Sequence, residues 1–291
     1  MSLSYCVLGS GSAGNATLLT LEHDGRRKRV LIDCGFSPRQ TALRLRPLGV
    51  ERDEITDILL THLDQDHFYR SWVKLVEHGV VRLHIHRRQQ RRAAKIGLNF
   101  RHVELFDDDP WPLAETATRI EPVPFAHDDL GTVGFVIDHH GTRLGLATDL
   151  GSVPPHLFER FVDLDALALE SNYDRSMQIA SDRPAFLKRR IMGGKGHLSN
   201  EEALCAARRI ADQSRLNRLT LLHLSRQCNC PERVKRLWRE RAADLLPLLS
   251  ITGQKETSPE FRVSAAGSRP TSPASGNGAS APSTAPPHLF G

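Results

Sequence analysis

The stretch Thr61-His62-Leu63-Asp64-Gln65-Asp66-His67 follows directly on the apolar run Ile55-Thr56-Asp57-Ile58-Leu59-Leu60. The run reads as a buried β-strand, and the loop after it places His62, Asp64, Asp66 and His67 within one short turn of chain. A tight loop at a strand end lets alternate side chains converge on one point, as a metal site requires. A solvated polar loop is the plainer explanation. Two His flanking two Asp straight after a buried strand favour ligands over that.

The same arrangement recurs along the chain. His127 follows Val123-Pro124-Phe125-Ala126, Asp149 follows Leu144-Gly145-Leu146-Ala147-Thr148, His223 ends Leu219-Thr220-Leu221-Leu222, and Asp33 ends Val30-Leu31-Ile32. A lone His at a strand end is usually just hydrogen-bonded. Ligand-type residues closing several strands at the same end imply one shared site.

The other elements read as a mixture of strands and helices. Tyr5-Leu8, Ala16-Leu21 and Val30-Asp33 are strands, the last two joined across Asp24-Gly25. Ser37-Pro38 opens a helix bearing Ala42, Leu45 and Leu48 on one face, and Trp72-Val76 is helical. Val133-Ile137 and Leu144-Thr148 form a hairpin across His139-His140-Gly141, and Ala166-Leu169 is a further buried strand. Ser199-x-x-Glu202 is a capping box opening a helix with Leu204, Ala207 and Ile210 on one side. The pattern is mixed α/β.

Composition narrows the classes. The chain has 291 residues, 40% hydrophobic and 25% charged, as in ordinary globular proteins. No run reaches the ~18 apolar residues of a membrane span. Met1-Ser2-Leu3-Ser4-Tyr5 does not begin a signal peptide, so no membrane association and a cytoplasmic location are expected. Five scattered cysteines (Cys6, Cys34, Cys205, Cys228, Cys230) read as reduced thiols, and Cys228-x-Cys230 lacks the second pair of a zinc site. From Ser264 to Pro287 there is no Val, Ile, Leu, Met, Phe, Trp or Tyr. Such a segment cannot bury enough apolar surface to offset ordering. The folded domain is therefore expected over 1–253, with 254–291 a disordered Pro/Ser/Ala/Gly-rich tail that can be deleted without loss of folding.

Taken in order, these elements resemble the metallo-β-lactamase superfamily of binuclear metal hydrolases, with its H-x-H-x-D-H motif after a strand, a later His, an Asp ending a strand and a C-terminal His. Four segments are similar to its YycJ-like (WalJ-like) branch of exonucleases: Gly9-Ser10-Gly11-Ser12-Ala13-Gly14-Asn15, Leu169-Glu170-Ser171-Asn172-Tyr173-Asp174, Gly196-His197-Leu198-Ser199-Asn200 and His223-Leu224-Ser225. The resemblance spans roughly residues 3 to 252. It implies a four-layer αββα sandwich (α+β class) with the metals at one edge of two packed mixed sheets. It further implies that His62 and His127 hold one divalent ion, that Asp66, His67 and His223 hold a second, and that Asp149 bridges them. Asp33 would fix the tautomer of a ligand His. The chain departs from the motif at Asp64, where the family has His. A carboxylate is a harder, anionic donor, so the two ions are expected to be Zn²⁺ or Mn²⁺, with Asp64 shifting preference toward Mn²⁺, Mg²⁺ or Fe²⁺.

His197 lies outside this ligand set. It precedes the helix capped by Ser199, whose free N–H groups favour a phosphate oxygen. Its spacing to Ser199 is similar to a segment of the superfamily's tRNA 3′-processing endonucleases, which implies a general-acid or phosphate-contact role, alongside Asp66 and Asp149 in catalysis. A His that only caps a turn is the alternative. The Gly9–Asn15 loop offers Ser10, Ser12 and Asn15 as phosphate donors, although Gly/Ser loops are usually just turns. Between Glu77 and Glu104 there is no acid, and Arg88, Arg91, Arg92 and Lys95 fall on one face of a helix beginning near Arg88. Solvated faces normally mix signs, so this row favours nucleic acid as partner and substrate.

Three functions stay open on sequence. The leading one is a metal-dependent phosphodiesterase, an exonuclease-like nuclease on DNA or RNA. The second is a metallo-hydrolase of a small thioester, lactone or cyclic phosphate. The third, motivated by Asp64 alone, is a catalytically weakened metal- or nucleic-acid-binding module.

Overall fold

The computed structural model describes residues 1–265. The chain opens with the strands β1 (Ser2–Gly9), β2 (Ala16–His23) and β3 (Arg26–Ile32), then α1 (Pro38–Leu45), β4 (Ile55–Leu59), α2 (Trp72–Glu77), β5 (Arg82–His86), α3 (Gln90–Lys95) and β6 (Val103–Phe106). A second half follows: β7 (Trp111–Leu113), β8 (Thr118–Phe125), β9 (Thr132–His139), β10 (Thr142–Ala147), α4 (Pro155–Arg160), β11 (Ala166–Glu170), α5 (Arg175–Ala180) and α6 (Ala185–Met192). It closes with α7 (Asn200–Asp212), β12 (Arg218–Leu222), α8 (Pro231–Arg241), β13 (Leu249–Ile251) and β14 (Phe261–Val263).

The strands form two seven-stranded sheets in the orders β14-β1-β2-β3-β4-β5-β6 and β13-β12-β11-β10-β9-β8-β7. Both are mixed: β1–β3 and β7–β10 pair antiparallel, while β3–β6 and β10–β13 pair parallel. Side chains alternate between two cores, as the strand period requires. Leu3, Tyr5 and Val7 point to the inter-sheet core with Phe135, Ile137 and Leu144 of the other sheet. Cys6 and Leu8 point the opposite way, onto the cluster that holds Leu45, Trp72 and Ala93 from α1, α2 and α3. The second sheet is covered outside by Leu157, Leu204, Ile210 and Trp238 from α4, α7 and α8. With both faces buried, the strands read as nearly continuous apolar runs. The fold is the expected αββα sandwich.

Local expectations hold at several points. Ser37 and Ser199 form complete capping boxes with Gln40 and Glu202. The hairpin across 140–141 pairs His139 with Thr142. No helix among the described residues is long and apolar enough to cross a membrane. Among those residues all five cysteines are free, with Cys228 buried beside Tyr173 and Ile191.

The expected domain boundary at Gly253 falls too early. β14 pairs antiparallel with β1 at the edge of the first sheet, and Phe261 and Val263 are buried in the inter-sheet core. Gln254 donates to Gly14 O (2.7 Å) and accepts from Ala13 N (2.8 Å), while Ser258 Oγ accepts from Val7 N (2.9 Å). Phe261-Arg262-Val263 offers only two apolar positions, too few for a strand to be read, and β1 supplies the pairing they lack. Residues 266–291, to which most of the expected tail belongs, lie outside the described residues. Ending the chain after Gly253 removes two buried side chains worth roughly 1.5–3 kcal/mol each, and is expected to lower Tm by roughly 10 °C. A chain ending at 265 keeps these contacts. Equal melting temperatures for the two truncations would show that β14 contributes nothing.

Candidate metal centre

The strands of both sheets end at one edge of the sandwich, and their last residues turn the expected side chains toward each other. Asp33, Asp149 and His223, which follow β3, β10 and β12, have φ of 62°, 57° and 56°. Left-handed backbone at non-glycine residues costs on the order of 1–3 kcal/mol and persists only where surrounding structure holds it. Here Asp33 N donates to Leu59 O (3.0 Å) and His223 N to Ser10 Oγ (2.8 Å). The loop bearing His62 to His67 packs so tightly that a Cβ on Gly35 would overlap the carbonyl of Asp66. That carbonyl accepts from Asn15 N at 2.7 Å.

The four imidazoles of the ligand set each have a partner at Nδ1. His67 Nδ1 donates to Asp33 Oδ2 (2.7 Å) and His127 Nδ1 to Gly196 O (2.9 Å). His62 Nδ1 lies 3.0 Å from Thr61 Oγ1, and His223 Nδ1 lies 3.2 Å from Glu170 Oε1. His62, His67 and His127 therefore present Nε2 to a common interior, whereas His223 faces it with both nitrogens, Nδ1 standing 3.3 Å from Asp149 Oδ1. His67 Nε2 meets Asp149 Oδ2 at 2.9 Å, Asp66 Oδ2 stands 3.7 Å from both His67 Nε2 and His223 Nε2, and Asp64 Oδ2 is 3.7 Å from His62 Nε2. Among the described residues the donor atoms fall into four overlapping groups, each within 4.8 Å: His62, Asp64 and His127; His62, His67 and Asp149; Asp66, His67 and His223; and Asp149, Glu170, His197 and His223. His223 Nε2 is buried without a hydrogen-bond partner. A buried nitrogen without a hydrogen-bond partner, facing carboxylates, suits a metal ligand. The residues fit a binuclear centre.

The electrostatics of the site follow from the same contacts. Burial opposes charge on His67 and His223. The Asp149 carboxylate, with Asp33 for His67 and with Asp66 and Glu170 for His223, outweighs it and lifts both pKa values, that of His223 to about 10. Burial and neighbouring His67 push His62 well below the usual imidazole value. Burial raises the Asp66 carboxyl, but His223 beside it and the charge of His67 bring it down to about 2. Protons on His67 and His223 occupy donors that a metal would take, so the two compete.

Several expected residues serve other ends. Asn15 Nδ2 donates to Gly11 O (3.1 Å) and lies 3.0 Å from His67 Nε2, and Ser10 Oγ bonds Asn15 Oδ1 (3.1 Å) and His223 N. Both are buried anchors of the loop. Ser199 is buried and spent on its capping box. Only Ser12 of that set lines the cleft. The basic row is present, but its helix is a short 3₁₀ turn followed by six residues of α3. Arg88 pairs with Asp108 (2.9 Å), and Arg92 with Asp64 Oδ1 (2.7 Å). Arg91 and Lys95 make no ion pair among the described residues and line a groove of about 1040 Å³ that reaches His62 and His127.

His197 differs from the other imidazoles. Its side chain is 21% exposed, against 7% or less for His62, His67, His127 and His223. Its Nδ1 donates to Glu170 Oε1 at 2.7 Å, which leaves Nε2 for the cleft. Glu170, fully buried at the end of β11, was given no role by sequence reasoning. Its other oxygen accepts from Leu150 N (2.8 Å) and Leu198 N (3.4 Å). Burial disfavours its charge, but His197 and the bond to it keep the carboxyl below its ordinary pKa. The one available signal was its place at the end of a buried strand, like Asp33 and Asp149.

Residues 28–224 match the Beta-lactamase superfamily domain. The chain is 26% identical over 250 residues to exodeoxyribonuclease YycJ of Bacillus anthracis, covering 80% of this chain and 86% of that protein. It is 24% identical over 241 residues to exodeoxyribonuclease WalJ of Streptococcus pneumoniae, covering 80% and 85%. The crystal structure of the metallo-beta-lactamase fold protein YhfI from Bacillus subtilis superposes with a TM-score of 0.65 at 15% identity, over 90% of this chain and all of that one. Matched in two thirds of its length by that domain and in its architecture by that fold, the chain belongs to the beta-lactamase superfamily and has the metallo-beta-lactamase fold.

Proposed function

We propose that the protein is a metal-dependent phosphodiester hydrolase that acts on nucleic acid as an exonuclease. The observation that carries this reading is the gathering of the His62, His67, His127 and His223 imidazoles with Asp64, Asp66 and Asp149 into overlapping donor groups, with His197 held beside them by Glu170 and lining the cleft. In it, His62, Asp64 and His127 would hold one divalent ion and Asp66, His67 and His223 the other, with Asp149 serving both. Bound there, they would supply an activated water and charge neutralisation for the phosphoryl oxygens. Arg92 binds the outer oxygen of Asp64. The pair is neutral overall, so it restores the charge of the imidazole that the family has at this position. His197 protonates the leaving oxygen through Nε2, and Glu170, by accepting from Nδ1, fixes the tautomer and steadies the imidazolium. The names of YycJ and WalJ support DNA as the polymer. The protein loaded with Mn²⁺, Fe²⁺ or Zn²⁺ is expected to shorten end-labelled DNA, and RNA is the competing substrate in the same assay.

Arg91 and Lys95 are the free cations of the wide groove, so they replace Arg88 and Arg92 as the residues that track phosphates. Reversing both charges (Arg91→Glu with Lys95→Glu) should weaken DNA binding and reduce the slope of log affinity against log salt by about 1 per residue. An unchanged slope for DNA and for RNA would give the lead to a small-substrate hydrolase.

A further inference from the structure

Two cavities meet at His62, Asp64 and His127. One is the wide groove past α3. The other, of about 340 Å³, runs over His197 and His223 toward the α5–α6 turn, where Arg183 and Arg190 enter it. The cations around the centre are mostly neutralised: Arg190 is paired with Asp128, and Arg92 with Asp64. Arg183 is the exception in the narrow cavity, making no ion pair among the described residues. Its guanidinium donates to neutral acceptors: Gln178 Oε1 (3.1 Å), Ser225 Oγ (3.3 Å) and Gln227 Oε1 (3.1 and 3.2 Å). Gln178 is fully buried in α5, and Ser225 also accepts from Cys228 N (3.2 Å). The fork is thus held in place while its charge stays whole. An arriving anion displaces no carboxylate, and a planar guanidinium suits phosphate in two-point contact.

We propose that Arg183, with Ser225 and Gln227, forms a subsite for a non-scissile phosphate at the chain end next to the bond being cut. This rests on the reading of the centre as a phosphodiester hydrolase. The narrow cavity is at the small end of ligand pockets, which run from about 300 to 1,000 Å³. It suits about one nucleotide, whereas the groove past Arg91 and Lys95 suits a polymer. The centre lies between them, so the narrow side receives the nucleotide to be released. A phosphate on that nucleotide reaches Arg183, whether it is a 5′- or a 3′-terminal phosphate.

The test uses the full chain and three dithymidylates: one with a 5′-phosphate, one with a 3′-phosphate and one with neither. Calorimetric binding to metal-free protein and kcat/KM with metal are both measured. One of the phosphorylated forms is expected to exceed the bare dinucleotide by about ten- to hundredfold, the range of a hydrogen bond to a charged group. Which form gains identifies the end that is held. In Arg183→Ala that advantage should vanish, and Arg183→Lys should keep part of it, with Tm measured on each variant to confirm folding. No advantage for either form in the wild type, or an advantage that survives Arg183→Ala, overturns the subsite. Hydrolysis of none of the three by metal-loaded protein overturns the hydrolase reading instead, and the binding arm still decides on Arg183.

Discussion

Asp149→Ala is expected to abolish metal binding and hydrolysis together. The carboxylate stands in two of the donor groups at once, and its Oδ2 lies 2.9 Å from His67 Nε2. Without it, two divalent ions would face each other with no shared anion, a repulsion that the imidazoles cannot offset. Activity should fall by more than the ~10²–10⁴-fold that loss of one proton-transfer group produces. Elemental analysis is expected to find two ions per wild-type chain and less than one per chain of the variant. The melting temperature in chelator separates loss of metal from loss of fold. A variant that kept both ions, or that turned over at a tenth of the wild-type rate, would remove Asp149 from its bridging place.

His197→Ala should have the opposite signature, keeping the metal while turnover falls by ~10²–10⁴-fold. The imidazole is the exposed one of the set and is fixed by Glu170. Nucleic-acid affinity should stay near that of the wild type, because the basic groove is separate from this ring. Glu170→Gln probes the positioning. An amide in place of the carboxylate can present its NH₂ to Nδ1 and favour the wrong tautomer. The expectation is a fall in kcat with little change in KM and an unchanged Tm. A purely structural Glu170 would lower Tm instead. If His197→Ala strips metal, His197 is a ligand and the acid role belongs elsewhere.

Much of the centre was legible because its residues sit at strand ends, a one-dimensional feature. Asp33, His62, Asp66, His67, His127, Asp149 and His223 each close or follow a short apolar run, and the fold brings those ends together at one edge. The αββα layering was legible for a related reason: strands buried on both faces lose their alternation and read as apolar runs between helices with one apolar stripe. The capping boxes at Ser37 and Ser199 were legible because both partners lie three residues apart.

What escaped was the choice of partner for polar groups far apart in sequence. Ser10 and Asn15 looked like phosphate donors, yet Ser10 caps the amide of His223, 213 residues away, and Asn15 reaches His67. The row Arg88, Arg91, Arg92 and Lys95 looked uniform, yet only folding set Arg92 against Asp64 and Arg88 against Asp108. Arg183 carried no local pattern, Glu170 carried only its place at a strand end, and β14 was too short to read without its partner β1. The sequence by itself determined the layers, the strand ends and the ligand types, because apolar periodicity and local caps act over a few residues. Only the tertiary structure decided which charges are neutralised and which stand free. A hydrogen bond or ion pair depends on separations of a few ångströms, and the order of residues along the chain does not contain them.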